Sequence, residues 1–408
     1  MTQFRFHVVG LPHTQTTLEY NVCAYTMKVV KFCRMMKSLG HEVLLYASED
    51  NDAPCDELIT VVTKAEQVEW FGDFDFKQDF FTIGWQGNEP YWATTNTRIA
   101  SEIKQRARPR DFVCIVGGTC QQGIASSLPG MAVVEIGIGY NGTFAPYRVF
   151  ESYAHMHWIY GTERSDYGRF FDAVIPNYFD PAEFPYRAKK DDFYLFVGRM
   201  IERKGLAIAS EVTRQIGAKL VLVGQGVERI EGNRIISPEV TIEGDHLLHL
   251  GYADIAKRGE LMSRAKAVFV CSTYLEPFGG TSIEPLFCGT PVITTDWGAF
   301  PENILHGVVG YRTRTLAEGM WAAQHVDKLD PATIRQYATS NFSLERVKYL
   351  YQAYFEQLYS LWDDNGWYAP SDAGISQYQR YSRYFPANPA PSDSHNSRDN
   401  HKKPSKRD

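Results

Sequence analysis

Apolar and polar positions alternate from the start of the chain. Phe4, Phe6, Val8 and Val9 predict a first strand over residues 4–10. A polar loop follows, Leu11–Thr17. Leu18, Val22, Tyr25, Val29, Phe32 and Met36 then recur at helical spacing and predict a helix over about 18–39. Thr16 and Glu19 fit a capping box at its start, and Gly40 fits its end. Glu42–Tyr46, Phe112–Val116 and Ala132–Ile138 read as further strands. Residues 50–100 are aromatic-rich and irregular, and give no clear period.

Strand–helix alternation restarts in the second half. Phe193–Val197 reads as a strand, Leu206–Ile216 as a helix and Lys219–Val223 as a strand. Val268–Cys271 and Pro291–Thr294 read as two more, and an amphipathic helix is expected over 343–362. This pattern predicts an α/β chain of two doubly wound domains, with ligands at the carboxyl ends of the strands. Ile175-Pro176-Asn177 marks the expected crossover, and Pro181–Asp192 the linker. The expected division is 1–180, 181–342, a closing helical segment 343–370, and a tail 371–408. The tail is rich in Ser, Asn, Pro and mixed charge, and has too little apolar surface to order itself. No internal repeat is visible.

Composition narrows the class. The 408 residues are 44% hydrophobic, enough for two ordinary cores. A net charge of -6 supplies no global basic field and argues against non-specific nucleic-acid binding. The seven cysteines form no C-x-x-C pair and no zinc-ligand spacing, which reads as free thiols in a reducing compartment. No signal-peptide pattern opens the chain and no apolar run is long enough for a membrane span. A cytoplasmic location is expected.

Two segments carry chemistry. Gly198-Arg199-Met200-Ile201-Glu202-Arg203-Lys204-Gly205 follows a predicted strand and precedes a helix. Arg199 and Lys204 there could stabilise a departing nucleoside diphosphate. A solvated basic loop with turning glycines is the plainer alternative. The second segment is Glu276-Pro277-Phe278-Gly279-Gly280-Thr281-Ser282-Ile283-Glu284, followed by Cys288-Gly289-Thr290-Pro291. Its glycines let a ligand approach the backbone, and the helix after them offers N–H groups to a diphosphate. One carboxylate could hold sugar hydroxyls and the other a ribose diol. Thr281-x-x-Glu284 is also a capping-box pattern. Pro285 favours a cap at Ser282 instead, which would place the proline in the first turn and free Glu284 for ligand.

In this order and separation, these segments resemble glycosyltransferase family 4, with its G-R-x4-K-G and E-x7-E signatures. Phe300-Pro301-Glu302 and Ile175-Pro176-Asn177-Tyr178-Phe179-Asp180 extend the resemblance, with Tyr178 where the family usually has glycine. It covers 175 to about 305 well, and the N-terminal half by architecture alone. The resemblance implies a GT-B fold of two Rossmann-like domains facing a cleft, transfer with retention of configuration, and no obligatory metal. It puts Arg199 and Lys204 on the diphosphate. Glu276 and the amides of Phe278, Gly279 and Gly280 would hold the donor sugar. Thr281 would meet phosphate and Glu284 the ribose, with Gly198 opening the basic loop.

The N-terminal half departs from the family. Many members carry a histidine just after a central strand, where this chain has Gly137-Ile138-Gly139-Tyr140. His155 and His157 are the nearest candidates, with His157 nominally favoured. The loop Gly10–Thr17 replaces a Gly-Gly loop and is expected to line the cleft.

The expected donor is a UDP-, GDP- or ADP-sugar. The acceptor is open among glycan, lipid-linked sugar, protein, small molecule and modified DNA base. Competing readings are a GT-B-fold epimerase or phosphorylase, and a non-catalytic module that binds sugar nucleotides or glycans. Donor hydrolysis separates the transferase from the binding module.

Overall fold

The structure, a computed structural model, describes residues 2–21, 23–76 and 83–363. The tail expected from residue 371 lies outside the described residues, as does the end of the closing segment.

The N-terminal half is built on a parallel sheet of seven strands: β1 (Arg5–Val9), β2 (Glu42–Ser48), β3 (Glu57–Val62), β4 (Phe112–Ile115), β5 (Ala132–Ile138), β6 (Tyr147–Phe150) and β7 (Asp172–Val174). Its order is β3-β2-β1-β4-β5-β6-β7. Phe6 of β1 pairs with Val43 on one side and Phe112 on the other. Phe6 and Val8 pack into one core and Val9 into another, so β1 is covered on both faces, which is why apolar residues dominate its sequence. The helices of this half are α1 (Ala24–Ser38), α2 (Lys64–Phe71), α3 (Pro90–Arg106), α4 (Gln122–Ser126) and α5 (Tyr153–Thr162).

The C-terminal half repeats the architecture. In chain order it contains β8 (Tyr194–Val197), α6 (Leu206–Gln215), β9 (Leu220–Val223), β10 (Arg229–Glu231), β11 (Arg234–Ile236), β12 (Thr241–Glu243), β13 (Leu247–His249), α7 (Ile255–Arg264), β14 (Ala267–Val270), α8 (Gly280–Phe287), β15 (Val292–Thr295), α9 (Phe300–Asn303), β16 (Gly310–Thr313), α10 (Leu316–His325), α11 (Pro331–Phe342) and α12 (Leu344–Tyr359). Six strands form a parallel sheet ordered β13-β9-β8-β14-β15-β16. β10, β11 and β12 form a small antiparallel sheet inserted between β9 and β13, which the sequence pattern did not announce.

Two passes of the chain join the halves. Phe179 and Ser343 meet in a parallel bridge, with Phe179 N–H donating to Phe342 O and Leu344 N–H to Phe179 O, both at 2.9 Å. α12 then returns to the first half. Phe355 sits 4.7 Å from the Phe6 ring and 4.9 Å from Phe112, and Tyr351 packs edge-on against Phe32. The amphipathic face of α12 is therefore part of the N-terminal core.

α1 starts later than its apolar spacing predicts, at Ala24. The capping box of Thr16 and Glu19 does not form. Leu18 N–H is taken by the Asp52 carboxylate at 3.1 Å, and Tyr20 and Asn21 close local turns on Thr17 and Glu19. The irregular stretch 50–100 contains β3, α2 and part of α3. α2 is started by a capping box of Thr63 and Glu66. All seven cysteines are free thiols. Among the described residues, no helix is long and apolar enough to cross a membrane.

Candidate functional site

A cleft of about 430 Å³ lies between the two sheets, at the carboxyl ends of their strands. The basic loop after β8 and the loop between β14 and α8 form its C-terminal wall. Lys204 ends a short turn, and its Nζ donates to Glu276 Oε1 at 2.7 Å and to Tyr274 Oη at 2.9 Å. Tyr274 Oη donates in turn to Glu276 Oε2 at 2.6 Å, and Ser272 Oγ to Oε1 at 2.7 Å. The buried Glu276 carboxylate thus has three donors around it, which fixes its orientation. Burial and this carboxylate push the Tyr274 phenol up, so it stays protonated and donating. Arg199 lines the same wall. Burial, then neighbouring Arg203, lowers its guanidinium from the usual value.

α8 begins differently from the expectation. Its N-cap is Gly279 in the left-handed region, φ +76°, and neither Thr281 nor Ser282 caps it. Gly279 is required there because a Cβ would sit 2.6 Å from the Phe300 ring. Ser282 Oγ turns back to Gly279 O at 2.7 Å. Pro285 therefore lies inside the helix rather than in its first turn. A left-handed glycine can close the entry turn without a side-chain cap, an option the capping pattern does not display. The N-cap Gly279 and the first-turn residues Gly280 and Thr281 still line the cleft, with Glu284 just beyond that turn and Phe278 before it.

Glu284 does not serve as a capping residue. It meets Arg258 of α7 at 3.2 Å. Across the cleft floor, Lys31 of α1 meets Glu183 at 3.7 Å. Burial lowers the Lys31 ammonium, while Glu183 and Glu284 raise it. Gly198 lies just outside the cleft, its N–H donating to Val223 O at 2.9 Å.

His157 does not join the site. It is exposed on α5 and lines a separate surface depression with Tyr160, Arg169 and Asp172. His155 is buried, with Nε2 3.1 Å from Tyr140 O, and burial lowers its pKa. The two are on different faces of one helix, and neither lines the cleft. The loop 10–17 is also absent from the cleft lining. It is held inward by Gln67 Nε2 on Pro12 O at 2.9 Å and by Thr14 Oγ1 against Thr26 Oγ1 at 2.6 Å. The N-terminal wall comes from elsewhere: the first turns of α1, the end of β5 and the residue after β6. Tyr25, Lys28, Lys31, Gly139 and Glu151 line it. The one sequence signal for this wall was the pair of glycines at the end of β5.

The halves also touch directly. Ser152 Oγ donates to Pro277 O at 2.6 Å. Glu302 of α9 accepts from Tyr153 N–H at 2.8 Å and Ala154 N–H at 2.6 Å, seating a carboxylate on the N-terminus of α5. Among the described residues, no group of three or more His, Cys, Asp or Glu side chains is placed to hold a metal ion.

Two Rossmann-like domains facing a cleft, with paired strand-end loops on its wall, define a GT-B fold. Residues 181–329 match the family described as Glycosyl transferases group 1. Sucrose synthase 2 of Tulipa gesneriana is 33% identical over 138 residues, covering 32% of this chain and 17% of the relative. Phosphatidyl-myo-inositol mannosyltransferase of Mycobacterium tuberculosis is 30% identical over 200 residues, covering 43% of this chain and 50% of the relative. The chain thus spans half or less of the length of these curated relatives. A glycosyltransferase involved in avilamycin A biosynthesis shares the fold with a TM-score of 0.60 at 19% identity, covering 88% of this chain and 98% of that one. Anabaena HepE in complex with UDP and glucose does so with a TM-score of 0.55 at 14% identity, covering 88% and 100%.

Proposed function

We propose that the protein is a retaining glycosyltransferase that moves a sugar from a nucleoside diphosphate sugar to an acceptor hydroxyl without an obligatory metal. The contact that carries this reading is Lys204–Glu276 at 2.7 Å. It sets a cation for phosphate beside a carboxylate for sugar hydroxyls, where a diphosphate sugar has those two groups in sequence. The first turn of α8 supplies backbone N–H groups for the diphosphate, and the helix dipole favours its charge. Arg199 adds a second cation on the same wall.

As the bond from the anomeric carbon to phosphate breaks, negative charge grows on the leaving diphosphate. Lys204 and Arg199 stabilise that charge, the role a divalent ion plays elsewhere. Glu276, held by Ser272 and Tyr274, aims the sugar. The acceptor hydroxyl enters on the face the phosphate leaves, and the phosphate oxygen takes its proton. Glu284 beside Arg258 suits the ribose diol. UDP bound to the similar Anabaena fold supports a nucleotide donor and makes UDP-sugars the first to try. A cytoplasmic site of action is part of the same reading, supported by the seven free thiols.

The test is donor hydrolysis by the purified chain with UDP-, GDP- and ADP-glucose, each with and without EDTA. Release of diphosphate from one of them, unchanged by EDTA, is expected. Binding without cleavage of every donor would contradict catalysis. Loss with EDTA and recovery with magnesium or manganese would contradict the metal-independent part.

A further inference from the structure

The end of β5 carries glycine at two alternate positions, 137 and 139, and both leave room for charged side chains from other elements. A Cβ at Gly137 would lie 3.1 Å from the Lys28 stem, and one at Gly139 would lie 2.4 Å from Glu151 Oε2. Lys28 reaches over the strand from α1. Its Nζ donates to Gly137 O at 2.7 Å and meets Glu151 Oε1 at 2.6 Å. The pairing of β5 with β6 is irregular between Glu135 and Ile138, at the same place. Both charged side chains are buried, with 4% and 6% exposure, yet both line the cleft.

A buried ion pair is a poor device for stability, because desolvation offsets most of the attraction. Here the wall also gives up two side chains to make room for it. The position explains more. Ser152, next to Glu151, donates to Pro277 O, next to Glu276. That bond brings two carboxylates from different halves to one end of the cleft. Burial raises the Glu151 carboxyl, Lys28 lowers it, and the charge on Glu276 raises it again, so the two carboxylates sense each other. Each has its own lysine: Lys28 for Glu151, Lys204 for Glu276.

We propose that Glu151, held by Lys28, is a second carboxylate that binds the transferred sugar and, from the N-terminal wall of the cleft, accepts a hydrogen bond from one of its hydroxyls. This rests on the glycosyltransferase reading above. Two carboxylates, one from each half, at the same end of a cleft fit a polyhydroxylated ring, which offers several hydroxyl donors. Neither fits an anionic group, so the sugar rather than the diphosphate is the part placed between them.

The test uses the full chain, with UDP-, GDP- and ADP-glucose as donors and the matching bare diphosphates as ligands. Glu151→Gln should slow cleavage of the accepted donor by about 100-fold, as expected for lost sugar positioning. Its calorimetric affinity for the bare diphosphate should stay within about twofold, since that ligand has no sugar. A second variant, Lys28→Met with Glu151→Leu, replaces the pair by apolar groups of similar size, a change that folds tolerate. It should bind the diphosphate and stay as slow as the single variant. Recovery of turnover in the double variant would show that the pair serves packing alone, and would overturn the proposal. So would wild-type turnover in Glu151→Gln. If the wild type bound none of the three diphosphates, the glycosyltransferase reading itself would fall, and this proposal with it.

Discussion

Lys204 and Glu276 touch at 2.7 Å, although 72 positions separate them and they stand on different loops. Each loop follows a central strand of the same sheet, β8 and β14, and these strands are neighbours. Parallel pairing puts both carboxyl ends at one edge, so the contact follows from topology. Removing the lysine leaves Glu276 with Ser272 and Tyr274, and removing the carboxylate charge leaves Lys204 with Tyr274. The two residues can therefore be tested one at a time. Lys204→Ala should slow donor cleavage by about 100-fold or more, as for loss of a group at developing charge. It should also weaken bare diphosphate binding by about tenfold, or about 1.4 kcal/mol. Glu276→Gln should slow cleavage while leaving diphosphate affinity within about twofold. Calorimetry on both variants checks the split; equal losses of diphosphate affinity would contradict these roles.

Glu302 ties the two halves together by accepting from two N–H groups at the start of α5. Its own position is outside the cleft lining. Glu302→Ala should cost about 0.3–1 kcal/mol of stability, the usual range for an exposed charge at a helix N-terminus. Turnover should fall through looser alignment of the halves, with diphosphate affinity kept. Thermal unfolding and steady-state kinetics on one preparation check this. An unchanged melting temperature would show that the contact contributes nothing to stability.

His157 is exposed and faces a depression apart from the cleft. His157→Ala should therefore leave donor cleavage within about twofold of wild type, as is usual for surface changes away from a site. A loss of about 100-fold would restore this histidine to the active site.

His13 packs among the rings of Phe71, Trp85 and Trp92. Burial drives its pKa from 6.5 down to about 3. Between those values the unfolded chain binds a proton that the folded chain refuses. Stability linked to this group is thus full above pH 6.5 and is lost as pH falls toward 3. At pH 5 the loss should be about 2 kcal/mol. Melting temperatures of wild type and His13→Gln, measured from pH 7 to pH 5, should converge on acidification. Parallel curves would rule this histidine out as a source of acid sensitivity.

In the second half, the sequence alone determined the four central strands and the loops that follow them, but not the inserted β10–β12 sheet. Short runs of apolar and β-branched residues bounded by turn residues have few alternatives, so β8, β9, β14 and β15 lay within a residue or two of their observed bounds. Arg199, Lys204, Glu276 and Glu284 were visible because chemistry at a strand end is written in one short continuous segment. The entry to α8 was misread because a left-handed glycine can replace a side-chain cap, and backbone conformation is not spelled by residue type. The N-terminal wall was decided only by the tertiary structure. Lys28, Lys31 and Glu151 are charged residues on ordinary elements, and no local spacing links position 28 to 151. Lys28 and Glu151 meet because β5 and β6 pair side by side and α1 lies across the end of β5, with glycines 137 and 139 making room. Hydrophobic periodicity reports which face of an element is buried. Which charged groups face each other across a cleft is set by how the two halves dock, and the local sequence does not encode that docking.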